Sequence, residues 1–167
     1  MMDKIQVWLR AGLHSVVSLA LLAMMAVTVA DVVGRYLLAA PIPGSFEISQ
    51  FLLAVTVFAS LPLVAGSRAQ ITVGLLESVF SGRALRVQRA LVLLFSASAV
   101  ALMAWQLARL AGRLEASERV TGSLSWPIAP LVYVIAGFSL LALIATVIAG
   151  WQDLRAASGE PVPKAGD

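Results

Sequence analysis

The chain has 167 residues, of which 60% are hydrophobic and only 13% charged, with a mean hydropathy of +0.92 and a formal net charge of +3. A soluble domain carries roughly a quarter charged residues, so this composition excludes an ordinary water-soluble fold and predicts an integral membrane protein. Cysteine is absent and His14 is the single histidine, which excludes disulfide frameworks and bis-histidine haem ligation, and we expect no cofactor. The basic residues are scattered, which argues against a nucleic-acid partner.

Four charge-free intervals are long enough to cross a bilayer, whose hydrocarbon core of roughly 30 Å needs about 20 helical residues. With their neighbouring turns they predict transmembrane helices over about 11–35, 46–67, 88–115 and 126–151. The predicted fold class is an all-α integral membrane protein with one four-helix membrane domain over residues 1–155. The tail from 156 to 167 contains proline and glycine, and we expect it to be short and disordered.

The tryptophans mark the predicted span ends, since Trp8, Trp105, Trp126 and Trp151 all fall there and none lies in mid-span. An amphipathic indole favours the headgroup region, so we interpret the four as membrane-interface anchors. The alternative is that they are large core residues that happen to lie at the ends.

The distribution of basic residues predicts the orientation of the chain in the membrane. One side of the predicted spans carries twice as many lysines and arginines as the other. The richer side holds Lys4, Arg10, Arg68, Arg83, Arg86, Arg89, Arg155 and Lys164, and the other holds Arg35, Arg109, Arg113 and Arg119. The richer side should be cytoplasmic, which places both termini inside and the connections around 31–47 and 109–125 outside.

The connection between spans two and three has an amphipathic pattern. Its apolar residues recur at helical spacing over about 70–81, which predicts a short interfacial helix. Arg83, Arg86 and Arg89 follow this segment and are candidates for contact with anionic lipid headgroups. A contact with another protein is the alternative for these three arginines.

The connection between spans one and two contains a compact polar group. Asp31 and Arg35 are four residues apart on one helical face, the sequence Pro-Ile-Pro-Gly over 41–44 predicts a turn, and Ser45 can cap the next helix. Glu47 then lies in the first turn of span two, where the helix dipole favours a carboxylate. The group either ends one helix and starts the next, or forms a docking surface for an external partner.

Helical spacing and charge pairing continue beyond Trp105 through Arg109, Arg113 and residues 115–119, with no helix breaker before residue 122. We therefore expect this helix to project outward from the membrane. Ser125 is a predicted cap for span four, with Pro127 in its first turn.

The charge-free intervals contain almost no side chains that could act in ion transport or catalysis. Within the charge-free intervals, His14 is the only candidate for the ionisable residues with which carriers mark their ion or proton path. No nucleotide-binding loop or nucleophile motif is present either, so we expect no enzymatic activity. The residues alone predict a membrane scaffold or an accessory subunit.

Several short elements resemble the small membrane subunit (small permease, Q-type) of TRAP transporters, the tripartite ATP-independent periplasmic carriers. They are Arg35-Tyr36, Pro43-Gly44-Ser45-x-Glu47, Arg68 followed by Ile71 and Val73, and Thr121-x-x-Leu124-x-x-Pro127 ahead of Tyr133. The chain departs from the family pattern at Gln70 and Gly74, where the family commonly has His and Asp, so roles of those side chains are not carried over.

The resemblance implies three kinds of partner in a bacterial inner membrane: a large multi-spanning TRAP subunit with the sodium and substrate sites, a periplasmic substrate-binding protein that delivers an organic acid, and membrane lipids. The small subunit is expected to scaffold the large one and to help dock the binding protein. The docking candidates are Arg35, Tyr36, Glu47, Arg109, Arg113, Glu115, Glu118 and Arg119.

Two other functions remain open from the sequence. One is a stand-alone membrane scaffold or assembly factor. The other is a dimeric exporter of the small multidrug type, which needs a membrane-embedded carboxylate, and Glu47 is the one candidate for it.

Overall fold

The computed structural model describes residues 2–37, 39–66 and 83–159, which form four long helices. They are α1 (Met2–Leu37), α2 (Ser45–Gly66), α3 (Arg83–Ala116) and α4 (Ala129–Gly159). The described residues contain no strand, and a single isolated antiparallel bridge joins Val120 and Pro127. The all-α prediction is confirmed.

Each helix contains one stretch that is long and apolar enough to cross a membrane. These stretches are Trp8–Leu37, Ser45–Ala65, Val87–Ala116 and Ala129–Gln152. The prediction of four membrane-spanning helices is therefore confirmed. The predicted interfacial helix over 70–81 lies outside the described residues.

The helix ends differ from the predicted span ends. α1 and α3 begin before the predicted residues 11 and 88, because arginine and other long polar residues form helix readily outside an apolar interval. α4 runs to Gly159, past residue 156 where the tail was expected to begin, and residues 160–167 lie outside the described part.

The described helices pack in a row in the order α1, α2, α4, α3. α1 packs on α2, α2 on α4, and α4 on α3. Accordingly, within one 18-residue apolar segment of each helix, 28% is buried in α4 and 17% in α2, against 6% in α1 and none in α3. The two outer helices thus leave most of their surface uncovered by this chain.

Small residues on one face of α4 let its neighbours approach closely. Ile135, Ser139, Ala142 and Thr146 follow one another at three- and four-residue intervals and are all buried. The hydroxyls of Ser139 and Thr146 donate to the carbonyl oxygens four residues earlier, at 3.0 and 2.8 Å, so neither group is left without a partner. Inside a membrane there is no hydrophobic effect to bring helices together, so close packing of small residues is a common way for helices to associate.

One turn further on, Gly150 continues this close packing toward α3. A Cβ atom at Gly150 would overlap the side chain of Leu93. Glycine at this position therefore allows the Leu93 side chain to pack directly on the backbone of α4.

Candidate functional site

The connections 39–44 and 117–128 lie at the same end of the helix row. Both are held there by side chains near the ends of α1 and α2. We call this region, residues 31–37, 39–47 and 114–133, the loop end. It contains six of the eight predicted docking residues; the other two, Arg109 and Arg113, lie on α3 immediately before it.

Asp31 joins the end of α1 to the chain that follows. Its Oδ2 accepts a hydrogen bond from Nη2 of Arg35 at 2.8 Å, and its Oδ1 accepts one from the backbone N–H of Ile42 at 3.0 Å. The Asp31 side chain is only 13% exposed, whereas that of Arg35 is 59% exposed. The predicted pairing of Asp31 with Arg35 is confirmed, and the Arg35 guanidinium remains exposed on the surface of the chain.

The turn into α2 depends on Gly44. The residue has a φ of 79°, a conformation that other residues adopt only at a cost. Its carbonyl accepts the N–H of Ile48 at 3.0 Å, which starts the hydrogen bonding of α2. The chain can therefore reverse direction immediately before the helix begins.

The connection between α3 and α4 folds into a short hairpin, residues 119–128. The N–H of Thr121 donates to the carbonyl of Trp126 at 2.9 Å, and the N–H of Ile128 donates to the carbonyl of Arg119 at 3.1 Å. The Thr121 hydroxyl also accepts the N–H of Trp126 at 3.1 Å. Ladder bonds of this kind give the hairpin a defined shape.

The predicted start of span four is wrong by one turn. Ser125, the expected cap, has a φ of 53° and lies in the hairpin, and Pro127 belongs to the bridge with Val120. α4 begins at Ala129, with Pro130 in its first turn. Proline lacks an N–H and is tolerated in a first turn, so two prolines near each other made the start ambiguous in the sequence.

The expected continuation of α3 beyond Trp105 is confirmed as far as Ala116, where the helix ends, and its expected extension to residue 119 is wrong. The N–H of Glu118 donates to the carbonyl of Glu115 at 3.1 Å, and that of Arg119 donates to the carbonyl of Leu114 at 3.3 Å. This pair of bonds is a Schellman motif, with Glu118 in the left-handed conformation that glycine usually supplies. The sequence carried no glycine to signal the stop.

Glu47 holds the tip of the hairpin against the start of α2. Its Oε1 accepts the N–H of Ser123 at 2.7 Å and its Oε2 accepts that of Leu124 at 3.0 Å. The position of Glu47 in the first turn of α2 is confirmed. Its contact with the hairpin was not predicted, because backbone N–H groups have no side-chain signature in a sequence.

Leu124 makes a second contact between the hairpin and the start of α2. A Cβ atom at Gly44 would overlap the Leu124 side chain. Glycine at position 44 therefore serves both the turn and the seating of the hairpin. Together the two contacts join the hairpin to the start of α2.

Two more docking candidates are engaged within their own chain. Glu115 accepts a hydrogen bond from the Tyr133 hydroxyl at 2.8 Å, which joins α3 to α4. The guanidinium of Arg109 lies over the Trp105 ring, 4.9 Å from its centroid, a cation–π arrangement.

The remaining candidates are open to the surroundings. Tyr36 is 81% exposed. Arg113, Glu118 and Arg119 are exposed, and within the described ranges none of their side chains forms an ion pair.

The predicted membrane anchors are all more than half exposed: Trp8, Trp105, Trp126 and Trp151. Their contact with headgroups stays a prediction. The same holds for the lipid contacts of Arg83, Arg86 and Arg89; the side chains of the first two lie outside the described part of the structure, and Arg89 is partly buried.

A row of four long apolar helices defines an all-α membrane protein. The chain matches the family described as Tripartite ATP-independent periplasmic transporters, DctQ component, over residues 24–156. It belongs to this family and is a small membrane subunit of a TRAP transporter, which confirms the resemblance. No curated protein and no solved structure matches the chain.

Proposed function

We propose that this chain is the non-catalytic subunit of a sodium-coupled TRAP importer of organic acids in a bacterial inner membrane. It scaffolds the large multi-spanning transport subunit and helps dock the periplasmic binding protein. The observation that carries the proposal is the open row of helices, combined with family membership over residues 24–156.

The open row supports the scaffold role. A closed four-helix bundle buries one face of every helix, whereas here α1 and α3 each pack extensively on one neighbour within the described part of the chain. Large apolar side chains such as Leu19, Leu22 and Phe95 are more than half exposed on these helices. An exposed apolar helix surface of this kind can pack against a larger membrane protein, with lipids covering the parts of the surface that the partner does not contact.

The order of the loop end supports the docking role. The excess of lysine and arginine on the opposite side favours a periplasmic location for this end. Asp31 and Glu47 hold its two connections through three hydrogen bonds of 2.7 to 3.0 Å to backbone N–H groups. A surface that is already ordered loses less conformational entropy when a partner binds.

We assign the eight docking candidates to three proposed roles according to their exposure and their contacts. Arg35, Tyr36 and Arg113 are exposed and are proposed to contact the binding protein directly. Glu47 is proposed to position the hairpin through its bonds to Ser123 and Leu124. The other four, which are Arg109, Glu115, Glu118 and Arg119, lie at the end of α3 and are proposed to border this contact.

Reversing the charge of Arg113 tests docking. We expect Arg113→Glu in the assembled transporter to lower substrate uptake several-fold at low salt, and less at high salt, because exposed charges act mainly on the rate of association. Uptake into proteoliposomes with added binding protein measures the effect across a series of salt concentrations.

The matched control is Arg113→Lys, which keeps the charge and should keep uptake close to that of the unchanged protein. Membrane abundance must be equal for all variants. If transporters with Arg113→Glu and with Arg113→Lys take up substrate at the same rate at low salt, Arg113 does not contribute to docking.

The exporter alternative is disfavoured by the surroundings of Glu47. An exporter carboxylate must exchange protons and substrate, yet both oxygens of Glu47 accept backbone N–H groups of the hairpin. The residue also lies in the first turn of α2, near the edge of the apolar stretch.

A further inference from the structure

A groove of about 600 Å³ lies at the loop end, between the end of α3, the hairpin and the start of α4. Most of its lining is apolar and includes Leu114, Val120, Pro127 and Pro130. Val120 is 52% exposed, so the groove opens to the surroundings. Its size suits one or two extended hydrocarbon chains better than a single side chain.

Charged groups of both signs border this apolar lining. Glu115, Glu118 and Arg119 line the groove together with Tyr133. The Tyr133 hydroxyl donates to Oε2 of Glu115, which fixes that carboxylate at the groove wall. One guanidinium and two carboxylates are therefore available beside an apolar floor.

The groove lies where the membrane is expected to end. The apolar stretch of α4 starts at Ala129, and the end of α3 beside it carries the charged residues Arg113 and Glu115. Residues 114–120 and 127–133 thus surround the level at which hydrocarbon gives way to headgroups. A ligand at this depth meets both acyl chains and charged headgroups.

We propose that the groove binds a phospholipid whose headgroup carries a primary ammonium, as in phosphatidylethanolamine. Arg119 receives the phosphate, the carboxylates of Glu115 and Glu118 receive the ammonium N–H groups, and one acyl chain lies along Leu114 and Val120. Guanidinium pairs well with phosphate, and carboxylates accept from an ammonium. A glycerol headgroup lacks the cation, and a choline headgroup has no N–H to donate.

The proposed site is tested separately from the docking role, because the purified chain can bind a lipid without the binding protein. The test uses the full chain, purified in a mild detergent and stripped of lipid, and titrates it with dioleoyl phosphatidylethanolamine, phosphatidylcholine or phosphatidylglycerol. Native mass spectrometry measures the dissociation constant of the first bound lipid. We expect phosphatidylethanolamine to bind roughly tenfold more tightly than the other two.

Two variants locate the site. Arg119→Ala should weaken phosphatidylethanolamine binding roughly tenfold, while Arg119→Lys retains most of it. Val120→Trp should also weaken binding, because the indole fills the groove. The matched control is Arg113→Ala, an exposed arginine that does not line the groove and should leave binding unchanged.

Equal affinity for the three lipids would overturn the headgroup assignment. Unchanged binding by Arg119→Ala or by Val120→Trp would show that the lipid binds elsewhere on the protein. Binding of a partner's peptide in the groove, detected by cross-linking at Val120 in the assembled transporter with no lipid preference, would also overturn the proposal.

Discussion

Replacing Gly44 by valine is expected to destabilise the protein more than any other single change at the loop end. A residue with a side chain costs about 1–2 kcal/mol in the left-handed conformation that Gly44 adopts. Its Cβ would also overlap Leu124, and overpacking of this kind costs about 1–3 kcal/mol. Thermal unfolding in detergent micelles should show a midpoint several degrees lower.

The matched control is Gly137→Ala, in the interior of α4. A Cβ atom there meets nothing within 4 Å, and φ is not in the left-handed region. Alanine in a helix interior should be neutral or stabilising by about 0.5–1 kcal/mol. If Gly44→Val unfolds at the same temperature as Gly137→Ala, the described seating of the hairpin on α2 is wrong.

Removing the Glu47 carboxylate is expected to release the tip of the hairpin. In Glu47→Ala the N–H groups of Ser123 and Leu124 lose their acceptors. Bonds to a charged group are stronger than neutral ones, so we expect hydrogen exchange at these two N–H groups to become at least roughly tenfold faster. Hydrogen–deuterium exchange with mass spectrometry on peptides covering 119–128 measures this rate.

Glu47→Gln keeps one side-chain oxygen and should give an intermediate rate. The control is Glu118→Ala, which removes an exposed carboxylate at the same end of the molecule and should leave the exchange of Ser123 and Leu124 unchanged. If the N–H groups of Ser123 and Leu124 exchange at the same rate in Glu47→Ala and in the unchanged protein, Glu47 does not hold the tip of the hairpin.

The four helices were predictable because a bilayer leaves the chain few alternatives. Every backbone polar group in hydrocarbon must be bonded internally, so an apolar interval of about 20 residues has to be helical. The ends were less predictable, since nothing in the sequence requires a helix to stop where its charge-free interval stops. α3, for example, begins at Arg83 rather than at 88.

The loop end was predictable where its bonds are local. Asp31 and Arg35 lie one helical turn apart, and that spacing alone indicates a pair. The bond from Ser123 to Glu47 spans 76 residues, and its donor is a backbone N–H common to almost every residue. The end of α3 at Ala116 was missed because Glu118, which adopts the left-handed conformation after it, is an ordinary helix former.

The order of the helices in the row was not predictable from composition. All four apolar stretches have mean hydropathies of 2.0 to 2.6, so none is marked as an inner helix. What distinguishes α4 is the buried row of Ser139, Ala142 and Thr146, and alanine-rich spans contain several rows of this kind. Only the packed structure shows which row is used.

The most direct test of the scaffold role is to tag this protein in its native host, solubilise the membranes in a mild detergent and identify what co-purifies by mass spectrometry. We predict near-equal amounts of one multi-spanning TRAP transport subunit, retained through size-exclusion chromatography. Recovery of this chain alone, as a monomer or a homodimer, would contradict the account and favour a stand-alone membrane scaffold.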